Sequence, residues 1–224
     1  MPDPVAPPKP VEFFPALTAT AVVRHGFVGR IAGIDVATDR AEALNRLDVV
    51  HRAIRFELDL GTRGFATAEQ VHGNRIALID CPLQGEQCFE GADGLVTDQP
   101  AVSLGIYVAD CCAIFIVDPT RRCLGLVHSG RKGTESAIVS RAIETMSTRF
   151  GSVPRHLVIQ LSPAIRPPHY EVDFTAEIIR QAIASGVTQI YDSGVCTACD
   201  LSRYYSYRAE KGRTGRMLAM MGLQ

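Results

Sequence analysis

Two strongly apolar stretches, Leu104 to Asp118 and Cys123 to Ser129, stand on either side of Asp118-Pro-Thr-Arg121. β-branched and aromatic runs bounded by an Asp-Pro turn read as an antiparallel hairpin, which commits the chain to a fold built around a sheet. If Asp118 opposes Arg121, facing positions sum to 239, and Cys111 with His128 also sums to 239. In an unbroken ladder their β-carbons then lie roughly 5 Å apart on one face, a thiolate and an imidazole at chelating distance. A register slip of an odd number of residues would turn one of the two to the opposite face.

The rest of the chain alternates strands and helices. Ala21 to Phe27 reads as a strand. A helix is expected from Asp39 to Leu60, with Asp39 and Glu42 as a capping box, Leu44, Leu47, Val50 and Ile54 at helical spacing, and Gly61 as the stop. Phe65 to Asn74 is an alternating stretch that ends in a turn at His72, and Arg75 to Asp80 is a further strand. Beyond the hairpin, Glu135 to Phe150 reads as an amphipathic helix closed by Gly151. Leu157 to Leu161 is a strand, Ser162 to Tyr170 a rigid loop, Phe174 to Ala184 a helix, and the alternation resumes with Val187 to Tyr191. This pattern predicts an α/β fold, a mixed β-sheet covered by helices, in a single domain over residues 16–224 behind a flexible proline-rich arm over residues 1–15.

Composition narrows the function classes. The net charge is -1 with Lys and Arg scattered, so a broad nucleic-acid footprint is not expected. Residues 1–10 hold five prolines and no apolar core of signal-peptide length, and no run approaches 18 apolar residues, so no membrane span is expected and the expected location is cytoplasmic. Seven cysteines, an odd number, fit reduced thiols. Cys196-Thr-Ala-Cys199 is half of a structural zinc site with no second pair in sequence to complete it, so packing or loop rigidity is the expected role. Cys81, Cys88 and Cys123 are expected to be small buried residues. The glycine-containing basic turn Gly130-Arg-Lys-Gly-Thr134, between a strand and a helix, is a candidate small-anion site through Arg131 and Lys132. An ordinary strand-to-helix connection would have the same local sequence.

Taken together, Gln70-Val-His72-Gly-Asn, Ala92-Asp-Gly-Leu-Val-Thr-Asp98, Ala109-Asp-Cys111, Leu126-Val-His128-Ser-Gly, Pro163-Ala-Ile165, Tyr170-Glu-Val172, Cys196-Thr-Ala-Cys-Asp200 and Thr214-Gly-Arg-Met217 resemble, in order, the motifs of the laccase-domain or YfiH-type family. The resemblance runs from about His25 to the C-terminal residues. It implies one zinc or copper ion held by His72, Cys111 and His128, two of which the hairpin register reaches by itself. It also implies action on purine nucleosides: phosphorolysis of adenosine, inosine or methylthioadenosine, and deamination of adenosine. Phosphorolysis needs a cationic phosphate pocket, for which Arg131 and Lys132 are the candidates. Asp110, beside the thiolate, is expected to orient a ligand histidine or to take a proton.

The chain departs from the family pattern at two places. The family's H-A-G-W-R-G-T reads His128-Ser-Gly-Arg-Lys-Gly-Thr134 here, replacing an aromatic with Arg131 and an arginine with Lys132. The family's P-C-C-Y-E-V reads Pro167-Pro-His-Tyr-Glu-Val172, so His169 stands for a cysteine and is a candidate extra metal or substrate contact. Two His and one Cys can build a tetrahedral zinc with its fourth position open. Laccase chemistry needs a blue-copper site plus a trinuclear cluster, and six histidines are too few for both in one chain. A mononuclear copper polyphenol oxidase would use the same three ligands, and so would a diverged metal-binding protein or one that edits a cell-wall precursor.

Overall fold

Residues 10–224 are described by the structure, a computed structural model. In chain order the elements are β1 (Val11–Glu12), α1 (Pro15–Thr18), β2 (Val23–Val28), α2 (Arg40–Glu57), β3 (Gly64–Ala68), β4 (Ile76–Ile79), β5 (Glu86–Phe89), β6 (Gly94–Thr97) and β7 (Val102–Val108). There follow β8 (Cys112–Asp118), β9 (Cys123–Ser129), α3 (Arg131–Glu135), α4 (Ile138–Phe150), β10 (Val158–Leu161), α5 (Phe174–Ala184), β11 (Gln189–Asp192) and β12 (Met217–Leu223). They form two mixed six-stranded sheets, ordered β1-β2-β12-β7-β3-β5 and β11-β10-β8-β9-β6-β4, in a single mixed α/β domain. Residues 1–9 of the expected arm lie outside the described residues. Its last residues are folded: β1 pairs with β2, and Phe14 is buried against Phe115.

Period-two alternation in the second sheet separates two cores. Ala113, Phe115 and Val117 of β8 and Leu124 and Leu126 of β9 face the first sheet. Cys112, Ile114, Ile116, Cys123 and Val127 point the other way, to Ile138, Ala142 and Met146 of α4 and Ile178 of α5. A sheet packed on one face by another sheet and on the other by helices has strands buried on both faces, which is why β8 and β9 read as continuous apolar runs.

The stretch from Leu104 to Asp118 is not one strand. β7 belongs to the first sheet and β8 to the second, and the chain crosses between them at Ala109–Cys111, where Asp110 takes a left-handed φ of 83°. The hairpin register is also corrected. Asp118 pairs with Cys123 and Ala113 with His128, so facing positions sum to 241. The Asp118 carboxylate accepts hydrogen bonds from the amides of Thr120 and Arg121, at 2.9 and 3.0 Å, so Arg121 cannot also pair with Asp118 through its backbone. The loop therefore widens to residues 119–122. A slip of two keeps side-chain parity, so Cys111 and His128 remain on the same face.

Two helix expectations change at their ends. Asp39 caps α2 through the Glu42 amide, while the Glu42 carboxylate binds Arg46 at 2.7 Å. The helix stops at Leu58 and Asp59, the latter with φ 55°, before Gly61 is reached. The helix expected over 135–150 begins only at Ile138 as α4, the basic turn expected before it forms the short helix α3, and Ala137 at φ 56° separates the two. There the Ser136 carbonyl accepts from the Asn74 side-chain Nδ2 at 2.9 Å, and the Ser136 hydroxyl donates back to the Lys132 carbonyl. No helix among the described residues is long and apolar enough to cross a membrane.

Candidate metal centre

His72, Cys111 and His128 converge, each offering a ligand atom within 4.8 Å of the others. They come from three places: the turn after β3, the crossing between the sheets, and β9. His72 is exposed, Cys111 half-buried and His128 buried, and the two imidazole centroids are 4.8 Å apart. The register that replaces 239 by 241 sets Cys111 across from Gly130. A β-carbon at that glycine would lie 2.6 Å from the Cys111 sulfur, so the thiolate occupies space that only glycine leaves open.

Asp93, fully buried, organises the group. Its carboxylate accepts from His128 Nδ1 at 2.8 Å and from the amides of Val71, His72 and Gly73 at 3.2, 2.9 and 2.7 Å. These three amides lie in a turn where Gln70 and His72 both have left-handed φ, 66° and 63°, a conformation that costs of order 1–3 kcal/mol per residue and persists where surrounding contacts over-determine it. Gln70 supplies more of them, because its amide bonds both the N–H and the C=O of Tyr107 and extends the pairing of β7 past the end of β3. With Nδ1 committed to Asp93, Nε2 is the His128 nitrogen left for the cluster, and a carboxylate behind a ligand histidine fixes its ring and raises its basicity.

Burial would raise the Cys111 pKa, but the neighbouring His128 and His72 outweigh it and hold the thiol at about 6. Conversely, burial would lower that of His128, yet Cys111 and Asp93 bring it up to about 9. For Asp93, burial is outweighed by the His128 and Gly73 hydrogen bonds, and its pKa is lowered. A thiolate, an oriented imidazole and a second imidazole at the surface form a donor set that could hold a transition-metal ion such as zinc or copper.

The three side chains line a cleft of about 1100 Å³. Its lining carries Arg40, Arg131, Lys132, Arg208, Lys211 and Arg216, against the carboxylates of Asp110 and Glu135. Tyr107, Tyr170, Phe174 and Tyr207 add rings. Arg131 is half-exposed and tied to Glu135 at 2.8 Å, with Glu171 at 3.9 Å, whereas Lys132 has no ion pair among the described residues. Arg208 binds Glu171 at 2.6 Å.

Two expectations about this site are corrected. Asp110 does not orient a ligand histidine: its two oxygens accept from the Thr197 hydroxyl and the Arg208 amide, both at 2.7 Å, because the left-handed turn at Asp110 directs the side chain away from the cluster. The orienting carboxylate is Asp93, legible only as the Asp of Ala92-Asp-Gly94. His169 does not line the cleft. It lies 3.7 Å from Cys196 Sγ and 3.5 Å from Cys199 Sγ, at the far side of its loop. All seven cysteines are free, and Cys81 and Cys88, expected to be buried, are exposed on loop and edge strand. Arg216, from Thr214-Gly-Arg-Met217, reaches the cleft from the start of β12, a contact that local sequence does not announce.

The chain is similar to "Purine nucleoside phosphorylase YlmD" of Geobacillus stearothermophilus, 28% identical over 253 residues covering 93% of this chain and 91% of the relative. It is 29% identical to a "Purine nucleoside phosphorylase" of Deinococcus radiodurans, covering 90% and 89%. Among solved structures, YlmD from Geobacillus stearothermophilus superposes with a TM-score of 0.80 at 24% identity, covering 97% of this chain and 100% of that one. The Bacillus licheniformis hypothetical protein YfiH gives 0.78 at 22%, covering 90% and 93%. At these identities the two structures establish the fold. The sequence profile described as "Multi-copper polyphenol oxidoreductase laccase" matches residues 23–181 and 173–224, and the chain is a member of that family.

Proposed function

We propose that this protein is a zinc-dependent purine nucleoside phosphorylase acting on adenosine, inosine or methylthioadenosine. The observation that carries the reading is the joining of a His72–Cys111–His128 cluster to a cleft rich in cations and aromatic rings; the names of the relatives support it. Ligand count weighs against a multicopper centre: the six histidines include His25 and His51, each buried apart from the cluster. A zinc ion held by two imidazoles and a thiolate would supply a Lewis acid with one exchangeable position.

The protein's own groups account for the rest. In phosphorolysis a phosphate oxygen bonds to the ribose C1′ while the bond from C1′ to the purine nitrogen breaks, the base leaving with the electron pair and gaining a proton. Lys132, with no carboxylate partner among the described residues, would hold the phosphate together with Arg216. Arg131 and Arg208 contribute less, because Glu135 already pairs with the first at 2.8 Å and Glu171 with the second at 2.6 Å. Tyr170 and Tyr207 would flank the base, taking over the stacking surface absent at Arg131. Asp110 would shape the wall, since both its oxygens already accept hydrogen bonds.

The test is turnover of the three nucleosides by zinc-loaded protein with and without phosphate, with products separated by chromatography. Free base released only with phosphate is expected. His72→Ala should abolish turnover and metal at this site, and Lys132→Ala should raise the KM for phosphate roughly tenfold or more while leaving metal bound, the loss of one charge-assisted contact. Inosine formed from adenosine without phosphate would replace phosphorolysis by deamination. Oxidation of phenols by copper-loaded protein, with nucleosides untouched, would replace it by the mononuclear copper reading. Metal bound without any turnover would leave a metal-binding protein.

A further inference from the structure

We propose a second metal site, formed by His169, Cys196 and Cys199, that takes a thiophilic ion, zinc above all, and clasps two loops behind the cleft. The three ligand atoms lie within 4.8 Å of one another. In a tetrahedral zinc site with Zn–S near 2.3 Å and Zn–N near 2.0–2.1 Å, each S···N edge is roughly 3.6 Å. The observed edges from His169 Nδ1, 3.7 Å to Cys196 Sγ and 3.5 Å to Cys199 Sγ, bracket that value. Two thiolates would balance the charge of a divalent ion, and the exposure of His169 and Cys199 leaves the fourth position to water.

The backbone holds these side chains independently of any ion. Residues 197–199 form one 3₁₀ turn in which the Cys199 amide bonds the Cys196 carbonyl at 3.2 Å, the turn a C-x-x-C chelate requires. Cys196 is bridged in parallel to Ala164, and the His169 amide bonds the Arg166 carbonyl at 2.9 Å. The ion would therefore join the 163–170 loop to the 195–200 loop. Both reach the cleft: the first through Ile165 and Tyr170, the second through the Thr197 hydroxyl on Asp110, next in chain to Cys111. The departure that puts histidine at position 169 thus falls beside the one C-x-x-C of the chain.

The test uses the full chain, kept reduced and stripped of metal, and titrated with Zn(II) against a chromophoric chelator. Cys196→Ser combined with Cys199→Ser should bind one ion fewer than the parent protein, and the same deficit should appear in a His72→Ala background, which separates this site from the one proposed above. His169→Ala should lose the ion and His169→Cys should retain it, so the second variant controls for folding. Cobalt-loaded Cys111→Ser protein should still show thiolate-to-cobalt absorption from Cys196 and Cys199. Equal stoichiometry with and without the two thiols, or no thiolate absorption in Cys111→Ser, would overturn the proposal.

Discussion

Asp93 carries more of the candidate metal centre than any single ligand, because one buried carboxylate fixes the His128 ring and three amides of the turn that presents His72. Asp93→Asn keeps the shape but replaces one acceptor oxygen with a donor facing an N–H. Zinc affinity at this site is expected to fall about 10–100-fold, measured by chelator competition; unchanged affinity would show that the turn holds His72 without it. Cys111 and His128 could be paired from the hairpin pattern because β-strand parity survives a slip of two. Asp93 could not be paired with anything, since its partners lie about 20 or more positions away and meet it only when β6 stands beside β9. Asp110 misleads for the complementary reason. Its neighbour in sequence is a ligand, but at φ 83° a side chain does not follow its neighbour's direction.

At the level of elements, the β8–β9 hairpin sets the geometry and Asp118 sets the hairpin. Its side chain holds the Thr120 and Arg121 amides in a four-residue loop and thereby selects the 241 register. Asp118→Ala should cost about 1–2 kcal/mol for two lost hydrogen bonds, read as a shift of the urea midpoint at constant m-value. The apolar runs of β8 and β9 and the capped helix α2 were legible because burial on both faces and an N-cap leave strong local marks. The crossing at Ala109–Cys111 was not, since an apolar run shows no seam where a chain passes from one sheet to another. The break at Ala137 also escaped, because it depends on Asn74 reaching the Ser136 carbonyl from a distant turn.

Across the whole molecule, two buried histidines outside the candidate sites contribute to the response to acid. His51 is buried with neither ring nitrogen hydrogen-bonded among the described residues; burial, reinforced by Arg55 and opposed by Asp48, lowers its pKa to about 4. His25 is likewise lowered to about 4 by burial while its Nε2 accepts from the Phe14 amide. Both are neutral in the folded state, whereas the unfolded chain protonates near 6.5. Their contribution is therefore fully present above pH 6.5 and is lost as pH falls towards 4, by at most about 3 kcal/mol each. Melting temperature at pH 5 should lie below that at pH 7.5, and His51→Phe should reduce the difference; an unaltered difference would remove His51 from the account.

β12 lies between β2 and β7, so the first sheet has a gap at its centre until residues 217–223 are in place. During synthesis on the ribosome, β2 and β7 would emerge with open hydrogen-bonding edges and wait for a strand still to be translated. From the synthesis of β7 until that of β12, a nascent chain of this topology offers two edges to wrong pairing.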